Sequence, residues 1–211
     1  MTIDIGGEEL VLLYQKALYK PDEKLLVIAD VHLGKATHFR KHGIAIPAQA
    51  QQGDYDNLRS ILNEVQPEKV YFLGDLFHSD FNGDWHLFCD LIKEYPNIQF
   101  TLVKGNHDLI NKQMFEEVCI AVEDIIEDGP LVYTHAPLKE VPEGKVNIVG
   151  HIHPGVVLSG MGRQSVKLPC FYREEQLFIL PAFGVLTGLY SMDVRQANAI
   201  YLVLSDSVRR L

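Results

Sequence analysis

Five short apolar runs in this sequence each end in residues able to ligate a metal. They read LLVIAD-V-H, VYFLGD, FTLVKGNHD, LVYTH and NIVGHIH. Their ends carry Asp30, His32, Asp75, Asn106, His107, Asp108, His135, His151 and His153. The first three runs predict strands over Leu25–Ala29, Val70–Leu73 and Phe100–Val103. Between the first two, Leu58, Ile61, Leu62 and Val65 follow the i, i+3, i+4, i+7 spacing of a helix, with Asp54 as a candidate cap. Trp85, Phe88, Cys89, Ile92 and Tyr95 form a second helical pattern, and Leu109, Met114, Phe115 and Val118 a third. Strand–helix alternation of this kind implies βαβ units and parallel strands. Ligands of open α/β sheets bind outside the carboxyl ends of the strands, so the polar ends are expected at one rim.

The second half changes character. Leu131–Tyr133, Val146–Val149, Val156–Ser159, Val166–Phe171, Gln176–Leu180 and Ile200–Leu204 are β-rich runs with few helical patterns between them. Hairpins and a second sheet are expected, packed on the first with helices outside. No low-complexity segment, repeat or linker divides the chain, which predicts a single domain over residues 1–211.

Composition narrows the function. Lys and Arg number 19 against 28 Asp and Glu, a net charge of −9. An acidic balance argues against non-specific coating of nucleic acid or membrane, which needs basic surface. It leaves room for a nucleic-acid substrate held locally by metal ions. No apolar run reaches the ~18 residues of a membrane helix. The N-terminal MTIDIGGEEL lacks a basic, apolar signal pattern. Cys89, Cys119 and Cys170 are odd in number and far apart. They are expected to be buried, reduced thiols, which points to the cytoplasm.

The donor set has its own logic. In extended backbone, residues i and i+2 face one side, so Asp30 with His32, and His151 with His153, are expected to point together. Gly74, Gly105 and Gly150 precede these groups and permit tight turns. Carboxylate, imidazole and carboxamide without thiolate suit Mn²⁺, Fe²⁺ or Zn²⁺. Seven candidate ligands are too many for one tetrahedral ion. They suit two ions ~3.5–4 Å apart, the clamp used for in-line phosphoryl chemistry.

D-x-H, G-D, G-N-H-D, a strand-terminal His and G-H-x-H, in this order, resemble the calcineurin-like metallophosphoesterase superfamily. The resemblance spans residues 30 to 153. It implies a four-layer αββα sandwich of two mixed sheets flanked by helices. It also implies two divalent ions, Mn²⁺ first. Asp30, His32 and His153 would hold one ion, and Asn106, His135 and His151 the other, with Asp75 bridging. Metal-activated water would attack phosphorus, His107 would protonate the leaving oxygen, and Asp108 would orient His107. Longer runs, DVHLGKATHFRKHGIAIP, GDLFHSDFN, GHIHPGV, KLPCFY and LPAFGVLTG, resemble bacterial ligase-associated DNA damage response endonucleases. That subgroup implies a DNA phosphodiester substrate and DNA ligase and helicase partners. The alternative is a small-molecule phosphodiesterase, nucleotide pyrophosphatase or phosphomonoesterase. A non-catalytic scaffold would be expected to have lost ligands, and none of the pattern is missing.

Other groups have competing explanations. Asp30 and Asp75 alone could cap helices. Lys35, His38, Arg40, Lys41 and His42 form the most basic stretch of the chain. Arg40 or His38 could hold a substrate phosphate, or the stretch could be a solvated first helix turn. His78, three residues past Asp75, could face the metals or substrate, or be an ordinary surface histidine. Phe81, Trp85, Phe171, Tyr172, Phe183 and Tyr190 could stack on bases, but aromatic side chains are more often core. Cys170 reads as a structural thiol, and Gly160 to Arg163 as a hairpin turn. A C-terminal edge strand could pair two copies, without a specific signal for it.

Overall fold

The computed structural model describes residues 1–46, 49–78, 83–105, 112–160, 162 and 164–211, the side chains of 49–51 excepted. The chain opens with antiparallel strands β1 (Thr2–Ile5), β2 (Glu8–Leu13) and β3 (Ala17–Lys20). The turn between the first two needs left-handed backbone, supplied by Gly6 and Gly7 at φ 65° and 87°. β3 pairs antiparallel with β4 (Leu25–Ala29). From β4 onward the pairing is parallel through β5 (Lys69–Leu73), β6 (Gln99–Val103) and β7 (Ile120–Glu123). The seven strands stand in chain order.

The crossovers between the parallel strands are helical. α1 (Lys35–Lys41) and α2 (Gln49–Val65) follow β4, α3 (Gly83–Lys93) follows β5, and α4 (Lys112–Glu117) follows β6. Their apolar faces meet one side of the sheet. Leu58, Ile61, Phe88, Leu91 and Phe115 pack with Leu26, Ile28, Val70, Phe72 and Phe100.

The second sheet comprises β8 (Ile126–Asp128), β9 (Leu131–Thr134), β10 (Val146–Val149), β11 (Pro154–Ser159), β12 (Ser165–Arg173), β13 (Leu177–Ile179), β14 (Tyr190–Ser191), β15 (Ala199–Val203) and β16 (Val208–Arg210). Its main order is β14-β11-β12-β13-β10-β9-β8, with β15 joining β12 to β16. β10 runs parallel to both β9 and β13 while the hairpins are antiparallel, so both sheets are mixed. Leu25, Val27, Leu73 and Val103 of the first sheet pack with Leu131, Tyr133, Ile148 and Phe178 of the second. The outer face of the second sheet holds Val149, Val156, Cys170 and Ile200, with Met192 and Ala197 against it.

Several expectations change. Asp54 does not cap a helix start, because α2 begins five residues earlier. Its carboxylate is buried and accepts the Val185 N–H at 3.0 Å, joining α2 to the segment after β13. Cys89 and Cys170 are buried free thiols, but Cys119 is exposed. Burial pushes the Cys170 thiol up to about 12, which makes it inert. Trp85, Phe171, Tyr172 and Phe183 are core, while Tyr190 is 65% exposed. Phe81 lies outside the described residues. A Gly160 N–H to Gln164 O bond of 2.9 Å closes the β11–β12 hairpin. Met161 and Arg163 of that turn also lie outside the described residues.

One buried ionic group ties the sheets together. Lys20 on β3 is 4% exposed and reaches Glu8 at 3.0 Å and Asp128 of β8 at 2.8 Å, with Glu23 alongside. Burial pulls its pKa down, but Asp128, Glu23 and Glu8 together hold it above the usual lysine range. Lys20, and then Lys69, hold the Glu23 carboxyl at about 2 against an ordinary 4.5. Lys20→Met strands Glu8 and Asp128, leaves Glu23 with Lys69 alone at 3.0 Å, and is expected to cost about 3 kcal/mol of unfolding free energy. A depressed carboxyl stabilises above its unfolded pKa and loses that contribution as pH falls through its folded value. The gap between wild type and Lys20→Met should therefore be full above about pH 4.5 and narrow towards pH 2. Urea unfolding at several pH values measures this; a constant gap would refute it.

Candidate metal centre

The polar groups sit at the strand ends, but their backbone is not extended. β4 stops at Ala29 and β5 at Leu73. Asp30 and His32 then adopt φ of 53°, Asp75 46°, His151 64° and His153 54°. These five are among nine non-glycine residues with positive φ in the described chain. Left-handed backbone costs an L-residue roughly 1–2 kcal/mol, less for Asp. Residues i and i+2 are thus aimed by alternating left-handed turns, correcting the expectation of simple strand extension.

Backbone bonds lock these turns together. His32 N–H donates to Asp75 O at 2.9 Å, Leu33 N–H to Leu76 O at 2.8 Å, and His78 N–H to Leu33 O at 3.0 Å. Two glycines admit the carboxylates. A Cβ at Gly105 would stand 2.6 Å from Asp75 Oδ1, and one at Gly150 2.6 Å from Asp30 Oδ2. Neither distance is tolerable for a real side chain.

Two donor clusters result, each with ligand atoms within 4.8 Å of one another. In the first, fully buried Asp30 meets His32 and His153. His32 Nε2 lies 3.3 Å from His153 Nε2, and His153 Nε2 lies 3.5 Å from Asp30 Oδ1. In the second, His135 Nε2 lies 3.4 Å from Asp75 Oδ1 and 3.1 Å from His151 Nδ1. Asp30 Oδ1 and His135 Nδ1, 3.9 Å apart, link the clusters. Each cluster draws from both sheets: Asp30, His32 and Asp75 follow first-sheet strands, and His135, His151 and His153 follow second-sheet strands.

The residues fit metal ions. His135 Nδ1 lies 3.0 Å from the Leu73 carbonyl, which can only accept, so the proton resides on Nδ1 and Nε2 presents a lone pair. That lone pair faces an Asp75 oxygen. Asp30 Oδ2 accepts the His151 N–H at 2.8 Å, while the buried Oδ1 has no hydrogen-bond partner among the described residues. Converging lone pairs around an unsatisfied buried oxygen favour a cation. Donors around a tetrahedral ion with bonds of ~2.0–2.1 Å stand about 3.3 Å apart, close to these separations. Burial, and next the neighbouring His135, lower the His151 pKa and favour the neutral ring that a metal needs.

Asn106, His107 and Asp108 lie outside the described residues. Of the remaining sequence candidates, His78 sets its ring 5.7 Å from that of His32, and His38 follows at 4.9 Å from His78. His42 continues the row, 4.3 Å from His38. Arg40 Nη2 donates to Thr37 Oγ1 at 3.3 Å on its own helix. Sequence reasoning did not single out Lys35. It stands three residues past His32, half-buried, and its ammonium feels Asp75, Asp30 and Asp54. Its distance in sequence from Asp54 and Asp75 conceals that grouping.

Paired His/Asp clusters at the strand ends of a two-sheet α/β fold are the equipment of a metal-dependent phosphoester hydrolase. A sequence profile of the calcineurin-like phosphoesterases matches residues 23–166, well over half of the chain, and the protein belongs to that family. The crystal structure of Pseudomonas putida nuclease MPE is similar over 100% of this chain and 99% of that one, at 28% identity and a TM-score of 0.81. Two more distant structures also match. A protein of unknown function from Aquifex aeolicus, AQ665, is 21% identical over 61% of this chain and 78% of its own, with a TM-score of 0.43. The E. coli phosphoesterase Yfce is 11% identical over 87% and 90%, again at 0.43. No curated protein matches.

Proposed function

We propose that this protein is a dimetal-dependent phosphodiesterase that cuts DNA internally, in DNA repair. The observation that carries this is the joining of two donor clusters into one centre. It is supported by likeness to a nuclease along nearly the full length of both chains. Asp30, His32 and His153 hold one ion. His135, His151 and Asn106 hold the other, and Asp75 serves both. Mn²⁺ is our first choice for these nitrogen and oxygen donors, ahead of Fe²⁺ and Zn²⁺. Two such ions supply an acidified water and an electrophilic clamp on the phosphate.

The chain's own groups do the rest. The Leu73 carbonyl fixes the His135 tautomer, and the His151 N–H orients Asp30. His107 protonates the leaving oxygen and Asp108 orients His107. The row of His78 and His38 rings, with Arg40 further along α1, flanks the path of the substrate strand. We place the chain in the cytoplasm as a single domain, working with a DNA ligase and helicase. Its free cysteines suit a reducing compartment, and no described helix is long and apolar enough to cross a membrane.

Circular single-stranded DNA with Mn²⁺ tests the reading, with Asp75→Ala purified in parallel. A circle has no ends, so cutting by wild type alone is the expected result. An intact circle, with bis-nitrophenyl phosphate still hydrolysed, would remove the endonuclease and leave end-dependent DNA cleavage or a small-molecule phosphodiesterase.

A further inference from the structure

We infer that Lys35 is a substrate-positioning residue whose ammonium binds an anionic oxygen of the phosphodiester held at the metal centre. The inference rests on the phosphodiesterase reading above. Lys35 is the first residue of α1, and its backbone N–H donates to the carbonyl of His32 at 3.2 Å. Its Cα is therefore fixed against a residue of the first cluster. The side chain is half-buried, yet its ammonium forms no hydrogen bond or ion pair among the described residues.

The charges around it explain what it lacks. It feels Asp75, Asp30 and Asp54, which partly offset the lowering of its pKa by burial. Asp54 is a shared partner, since it also faces half-buried Lys16 and accepts the Val185 N–H. Asp30 and Asp75 each belong to a donor cluster. Two divalent cations there would outweigh those two carboxylates and leave Lys35 beside a net positive centre, with only a share of Asp54 among the described residues. A partly desolvated ammonium in that position needs an anion. The anion recruited to the same centre is the phosphodiester. A lysine, acting as a point charge on a flexible stem, suits an oxygen already clamped from another side.

The test compares wild type, Lys35→Met and Lys35→Arg, each loaded with Mn²⁺. Inorganic phosphate binding is measured by calorimetry, along with metal content, thermal midpoint, and KM and kcat on bis-nitrophenyl phosphate. Lys35→Met is expected to weaken phosphate binding and raise KM by about 10- to 100-fold each. Loss of uniform binding should leave kcat within about threefold. Metal content and midpoint should hold, and arginine should restore most of the affinity. Unchanged phosphate binding and KM would overturn the inference. So would a matching loss of metal or midpoint reproduced by Asp54→Asn, which would make Lys35 only a counterion of Asp54. Should the methionine variant not fold, Lys35→Gln, which is polar but uncharged, takes its place under the same criteria. A wild type that neither binds phosphate nor turns over the diester would instead defeat the phosphodiesterase reading, and the role of Lys35 with it.

Discussion

Asp75→Ala is expected to lose at least one bound metal ion and about 10³-fold or more of phosphodiester turnover. Asp75 is 3% exposed, and its Oδ1 lies 3.4 Å from His135 Nε2. Without it, His135 and His151 face each other with no anionic donor of their own cluster. A bound ion contributes several kcal/mol of charge stabilisation in the transition state. Each 1.36 kcal/mol is tenfold in rate, which sets the magnitude. The backbone complicates the alanine variant, because Asp75 sits at φ 46°, where alanine is strained. Asp75→Asn removes the charge and tolerates that conformation better. It should fold as wild type does and still lose most activity. Metal content by mass spectrometry, read beside turnover, decides the matter. Two ions retained with activity within tenfold would exclude Asp75 from the centre.

His107→Ala is expected to keep both ions and slow DNA cleavage by ~10²–10⁴, the usual yield of general acid catalysis. The effect should depend on the leaving group. An alkoxide leaving from DNA needs a proton as the P–O bond breaks, whereas a nitrophenolate departs almost unaided. Turnover of bis-nitrophenyl phosphate should therefore fall far less than turnover of an oligonucleotide. Equal losses on both substrates would assign His107 to metal binding or to the ground state. Full activity on DNA would remove it from the chemistry.

Much of the fold is legible in the chain. The runs at Leu25–Ala29 and Val146–Val149 coincide with β4 and β10, and the next two parallel strands start one residue early. Buried parallel strands announce themselves as unbroken apolar runs. The N-terminal hairpins did not, although Gly6-Gly7 between two alternating runs is a turn signal. β8, β14 and β16 have two or three residues each, too short for periodicity to register, and β7 alternates buried with exposed residues instead of forming an unbroken apolar run.

The donor residues were legible because strand ends concentrate them; how they are aimed was not. Left-handed backbone at Asp30, His32 and Asp75 is imposed by bonds between loops more than forty residues apart in sequence. Asp54 fits a capping pattern, yet its partner is Val185, 131 residues away. Lys35 could be counted in a basic stretch, but the three carboxylates that give it meaning come from the turns after β4 and β5 and from α2.

Because each donor cluster straddles the two sheets, an ion bound there is a rivet through both. Sliding one sheet along the other would pull its donors apart. Metal should therefore stiffen the protein against shear far more than against fraying at its ends. A chain cut in the short link between β7 and β8 would leave Asp30, His32 and Asp75 on one fragment and His135, His151 and His153 on the other. Neither fragment would carry a whole cluster. The two halves would have reason to find each other in the presence of metal, and the fold contains the layout of a split reporter for divalent ions.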